Sequence, residues 1–129
     1  MNYLYDLFTR LSLGLAIWAI MSILTMPIAH AQPESSEVVY GIVQITETPD
    51  ELDVEQTSTK AIVEWKNFDV KENEKVHITQ PKDGIMLIRV KSGEQSKIAG
   101  KITATGKIIL VNEAGVHFTA TSEVVSQGI

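Results

Sequence analysis

The stretch from Ser96 to Phe118 constrains the fold more than any other part of the chain. It reads Ser-Lys-Ile-Ala-Gly-Lys-Ile-Thr-Ala-Thr-Gly-Lys-Ile-Ile-Leu-Val-Asn-Glu-Ala-Gly-Val-His-Phe. Short runs rich in Ile and Val are cut repeatedly by Gly or by Asn-x-x-Gly. In an extended chain Ile98, Ile102 and Ala104 share one side, with Gly100 between them. This period-2 pattern, punctuated by glycine, predicts β-structure with tight corners. A helix would carry Gly100, Gly106 and Gly115 in its interior, each at a cost of about 1 kcal/mol relative to Ala. The stretch is therefore read as β.

The whole chain has 129 residues, room for one small domain. Its net charge of −5 carries no basic footprint for nucleic acid. Cysteine is absent, which excludes disulfide staples and cysteine-ligated metal. A chain that crosses a membrane unfolded gains from this, because a cross-link would block threading. The amino terminus fits such a route. A weakly basic start ends at Arg10, Leu11 to Ile28 follows without a charge, and Pro27 breaks any helix. Ala29-His30-Ala31 then places small residues at the two positions a signal peptidase reads. Residues 1–31 are thus expected to be a signal peptide, removed after Ala31 once the inner-membrane export machinery has engaged it. The competing reading is a retained anchor, since the uncharged run approaches the ~20 residues that span a bilayer.

Along the mature chain, residues 32–37 are expected to be a disordered lead-in, and residues 38–129 the domain. Val38 to Ile45 reads as one strand with a bulge at Gly41, and Thr46 to Glu51 as a turn around Pro49-Asp50. Leu52 to Gln56 reads as a short half-buried strand. The acids crowded into this first third are expected to form a solvated loop surface. Ala61 to Phe68 places Val63 and Trp65 on one strand face, with Phe68 beyond a corner. Val76 to Gln80 is a further strand, followed by the turn Pro81-Lys82-Asp83-Gly84. Ile85 to Val90 is nearly unbroken in its apolar character and predicts a strand covered on both sides. Glu123 to Val125 is the last candidate. Some eight or nine short strands and no convincing amphipathic helix leave two architectures open: a sandwich or barrel, and a stack of parallel β-helix coils.

No catalytic, cofactor or metal site is expected. Gly100 to Lys107 has the wrong spacing for a phosphate loop, and Ile108 stands where Ser or Thr is required. His77 and His117 sit in separate strands without a carboxylate pattern typical of metal ligands. Ser96 and Ser122 have no nucleophile-elbow context. Glu72 and Glu74 read as a solvated turn, and Trp65 and Phe68 as core.

Five segments in order carry a resemblance: Ala61 to Phe68, Val76 to Pro81, Leu87 to Val90, Ser96 to Gly100 and Gly106 to Phe118. Together they resemble the amino-terminal two-partner secretion domain of the filamentous haemagglutinin family. The resemblance implies an all-β, right-handed parallel β-helix with capping β elements. It also implies a partner, an outer-membrane β-barrel transporter that recognises the domain through periplasmic domains, after which the exoprotein crosses unfolded and folds outside. Two motifs carry that role over to named positions. The family's Asn-Pro-Asn-Gly corresponds to Asn112, Glu113, Ala114 and Gly115, and its Leu-Asn-Arg-Val to Leu87, Ile88, Arg89 and Val90, so that Leu87, Arg89 and Val90 are kept. The corner at Asn112 to Gly115 is expected to form but to be looser than one preset by proline.

The expected function is that of a monomeric secretion signal and folding nucleus, passing through the periplasm to the medium or cell surface. The alternative is a self-contained secreted or periplasmic module that binds through a strand edge or a β-helix face. The family's long repeat regions, which carry adhesion, cytolysis or toxin delivery, do not follow Ile129. A truncated reading frame, a degenerate copy and a stand-alone module all remain compatible with that.

Overall fold

The computed structural model describes residues 33–128. The expected signal peptide and its cleavage residues Ala29 and Ala31 lie outside the described residues, as does Ile129. Eleven strands occur among the described residues: β1 (Glu34–Tyr40), β2 (Val43–Glu47), β3 (Glu51–Gln56), β4 (Lys60–Asn67), β5 (Lys75–Thr79), β6 (Ile85–Val90), β7 (Ser96–Ile98), β8 (Lys101–Ala104), β9 (Lys107–Asn112), β10 (Val116–Phe118) and β11 (Glu123–Val125). One expected strand splits in two. Val38 to Ile45 breaks at Gly41, whose φ of +90° turns the chain out of one sheet and into another. A Cβ there would stand 2.4 Å from the Lys60 carbonyl oxygen, so only glycine fits the corner. A second corner, at Ala99 and Gly100, separates β7 from β8.

The strands wind into a parallel β-helix with three faces. One face runs β1-β4-β6-β9, one runs β11-β8-β5-β3-β2, and the narrow third pairs β10 with β7. Val70 extends that third face by bridging Ile98. Parallel pairing stacks like positions into inward columns: Ala61, Met86 and Ile108 on the first face, and Leu52, Val76, Ile102 and Val124 on the second. No single coil could bury these side chains alone; stacking buries them against the coils above and below. Val63, Ile88, Ile98 and Ile102 are each at most 2 % exposed, and burial of such a side chain contributes about 1.5–3 kcal/mol. Trp65 and Phe68 meet edge to face, 5.6 Å apart at 75°, inside the same core. Two antiparallel strands close the amino end: β1 lies along β4, and β2 along β3, where Val43 and Ile45 pack on the core. The β-helix is the second of the two architectures the strand pattern had left open.

Four local expectations are corrected. Glu34 to Glu37, expected within a disordered lead-in, form the first half of β1; the β4 edge supplies backbone partners, and a ladder needs no apolar side chains. The early acids are not gathered in a loop, since Asp53 and Glu55 project outward from β3 between the inward Leu52, Val54 and Gln56. Ile85 to Val90 is covered on one face only. Met86, Ile88 and Val90 point inward, Ile85 and Leu87 are half-buried, and Arg89 is exposed. The outward apolar residues shield one another along the stack, which is why the run reads as continuous. Glu74 is buried rather than solvated, because Gly100 of the next coil packs on its corner, while Glu72 stays exposed.

Two buried glutamines staple successive coils where the second face turns into the first. The Gln80 side-chain amide donates to Gln56 Oε1 at 3.1 Å and to the Lys107 carbonyl at 2.9 Å, and its oxygen accepts the Gly106 N–H at 3.0 Å. Gln56 donates in turn to the Ser58 and Ile85 carbonyls, at 2.7 and 3.1 Å. Corner backbone groups that would otherwise be orphaned are satisfied this way.

Candidate functional site

Neighbouring coils bring the two carried-over motifs side by side. Strands β6 and β9 pair in parallel, with Leu87 opposite Ile109, Arg89 opposite Val111 and Val90 opposite Asn112. Their ends border an open cleft of about 490 Å³, lined by Arg89, Lys91, Gly93, Val111 and Glu113 among others. The three motif residues of β6 divide by direction: Val90 is 6 % exposed and points inward, while Leu87 and Arg89 face outward.

Asn112 occupies the inward column below Trp65 and Val90. A polar side chain there needs partners, and every one is present. Its amide nitrogen donates to the Glu94 carbonyl at 2.9 Å and to Ser96 Oγ at 2.8 Å, and its oxygen accepts the Ala114 N–H at 2.9 Å. That last bond mimics a backbone turn through the side chain. The Gly115 N–H closes the corner on the Asn112 carbonyl at 3.0 Å, with Gly115 at φ +103°. Its own carbonyl accepts the Ser96 N–H at 3.0 Å, tying the corner to the coil before it. Glu113 and Ala114 have negative φ. The corner is therefore formed as the sequence predicts, and Ser96 serves as a buried strut within it, 1 % exposed.

Arg89 is engaged in a cluster that sequence reasoning missed. Its guanidinium lies 3.3 Å from Glu64 Oε1, and Lys91 pairs with the other oxygen of the same carboxylate. The Glu64 side chain is only 10 % exposed, whereas Arg89 and Lys91 are 46 % and 61 % exposed. Glu64 and Arg89 stand opposite each other on β4 and β6, so the cluster follows from a register that no local pattern reveals. The other side chains weighed for chemistry do not converge. His77 bonds Thr103 Oγ1 at 2.6 Å, His117 is exposed on β10, and among the described residues no group of three or more His, Cys, Asp or Glu could hold a metal ion.

These features describe a β-helical module with a capped amino end and a structured corner, rather than a catalytic pocket. The family model for the TPS secretion domain matches residues 29–128. The chain therefore belongs to the secretion-domain family of two-partner secretion exoproteins, whose members are recognised by an outer-membrane transporter and secreted through the periplasm. A heme/hemopexin-binding protein of Haemophilus influenzae is 36 % identical over 99 residues, covering 75 % of this chain and 11 % of that protein. The corresponding protein of the Rd strain is 31 % identical over 102 residues, covering 78 % and 11 %. This chain thus spans about a ninth of the length of the relatives it matches. The crystal structure of the HMW1 secretion domain from Haemophilus influenzae has the same fold, at a TM-score of 0.65 and 21 % identity, over 71 % of this chain and 25 % of that one.

Proposed function

We propose that residues 32–129 act as the export signal and folding nucleus of a two-partner exoprotein, released from its signal peptide after Ala31. The observation that carries the reading is the register of β6 on β9, which sets both motif positions along one cleft. In this role Asn112 and Gly115 hold the corner that starts the next coil. Leu87 and Arg89 present the outward face beside it, and Val90 anchors that face to the core. Glu113 and Ala114 complete the corner without the family's proline. The module acts as a monomer without a cofactor, and its destination is the medium or the cell surface. The relatives' haem binding belongs to proteins of which this chain matches a small part, and it is not carried over.

Co-expression with the outer-membrane transporter from the same organism tests the reading. The expected outcome is release into the medium only when the transporter is present, as a species whose intact mass begins at Gln32. A chain that stays in the periplasm with the transporter present overturns the export role. A species that retains Leu11 to Ile28 overturns the cleavage.

A further inference from the structure

An apolar row crosses the outer surface of the first sheet. The strand registers set Tyr40, Ile62, Leu87 and Ile109 side by side across β1, β4, β6 and β9. Val111, two residues after Ile109, widens the row on β9. Tyr40, Ile109 and Val111 are 60 %, 45 % and 43 % exposed, and Ile62 and Leu87 are half-buried. A contiguous exposed apolar patch of this kind marks a contact surface. Cations flank it on both sides. Lys60 and Lys107 stand on one side, in register through Ile85. On the other, Arg89 and Lys91 together outweigh the charge of Glu64, and Lys66 lies beside them. Lys60, Lys66 and Lys107 form no salt bridge among the described residues. The second sheet has a different outer surface: Glu51, Asp53 and Glu55 of β3 lie against Lys75, His77 and Thr79 of β5, with no apolar side chain among them. A chain of net charge −5 thus carries one face on which cations border an apolar row.

We propose that this face docks on the surface of an anionic phospholipid bilayer. The row from Tyr40 to Ile109 enters the boundary between headgroups and acyl chains, where a tyrosine ring can keep its hydroxyl at the polar level. The lysines on either side have stems long enough to lie along the apolar patch while their ammonium groups reach the phosphates. Apolar burial and attraction to anionic headgroups then add to one another. Charge complementarity decides the occupant. Two copies meeting through this face would set lysine and arginine against lysine and arginine. A copy offering its second face would set Asp53, Glu55 and His77 against the apolar row and leave it without apolar cover. A bilayer supplies negative charge and apolar depth together. The proposal does not rest on the export reading, and vesicle binding needs no transporter, so the two can fail separately.

The test is co-sedimentation of the chain, recovered in soluble form from the periplasm, with vesicles of two parts phosphatidylcholine to one part phosphatidylglycerol. Vesicles of phosphatidylcholine alone serve as the neutral comparison. The double variant Lys60→Glu/Lys107→Glu reverses two exposed cations beside the row, and Lys75→Glu/Lys97→Glu makes the same change in net charge on the other faces. Ile109→Thr removes apolar surface from the row while keeping a β-branched residue in the strand. The expected result is binding to the anionic vesicles that weakens as salt is raised. Lys60→Glu/Lys107→Glu should weaken it at least about tenfold and Ile109→Thr about threefold, at unchanged thermal unfolding. Lys75→Glu/Lys97→Glu should change it less than about twofold. No binding, equal binding to neutral vesicles, or equal weakening by the two double variants overturns the proposal. Salt-sensitive self-association that Lys60→Glu/Lys107→Glu abolishes, without vesicle binding, would assign the face to a second copy and overturn the bilayer as its occupant.

Discussion

β1 and β6 lie in the same sheet, each hydrogen-bonded to β4, yet they are held by different forces. β6 places Met86, Ile88 and Val90 in the core and has strand partners on both edges. β1 buries no side chain and has one strand partner. Backbone hydrogen bonds are nearly neutral in exchange with water, each netting about 0.5–1.5 kcal/mol, whereas stacking buries whole apolar columns. A sheet can thus contain a strand that is ordered without being anchored. The coils hold the domain together, and the amino-terminal strand is held chiefly by its backbone ladder to β4.

The contrast breaks most sharply at Ile102, which is 2 % exposed in the column of Leu52, Val76 and Val124. Ile102→Asp puts a charge where nothing can pair with it and is expected to abolish cooperative thermal unfolding. An unchanged transition would show that the inward face has been wrongly assigned. Gln80→Leu should cost about 1–3 kcal/mol in urea unfolding, because the Gly106 N–H and the Lys107 carbonyl lose their buried partner. A neutral result would mean that water replaces the staple. Glu113→Pro acts in the opposite direction. Residue 113 has negative φ and follows the extended end of β9, so proline should fit and stabilise by about 0.4–1 kcal/mol through the unfolded state. A loss of stability would show that this corner differs from the family's. Smallest of all, Val39→Thr on β1 should leave the unfolding midpoint within about 0.5 kcal/mol of the unmodified chain. A larger loss would show that β1 is anchored after all, and the distinction between the two strands would disappear.

Much of the architecture was legible because coil stacking repeats a local pattern. Inward residues alternate within each strand and glycine or Asn-x-x-Gly marks corners, so Val63, Trp65, Ile98 and Ile102 could be placed on shared faces from sequence. The Asn112 corner was legible too, since an Asn followed three residues later by Gly specifies its own turn. Glu64 was not. Its partners Arg89 and Lys91 come from the next coil, and the offset between coils depends on corner lengths that local patterning does not fix. Gln56 and Gln80 read as polar strand ends for the same reason.

What the sequence determined by itself was the β-strand content, the inward alternation, the glycine-marked corners and the absence of cysteine chemistry. These follow from backbone sterics and the two-residue repeat of an extended chain. Only the tertiary structure decided between sandwich and solenoid, split Val38 to Ile45 across two sheets, and enclosed Glu64 between two cations. It also converted an apparently disordered acidic lead-in into an edge strand. Each of these depends on which residues of separate coils come to lie in register, and that is set by the stacking of the whole chain.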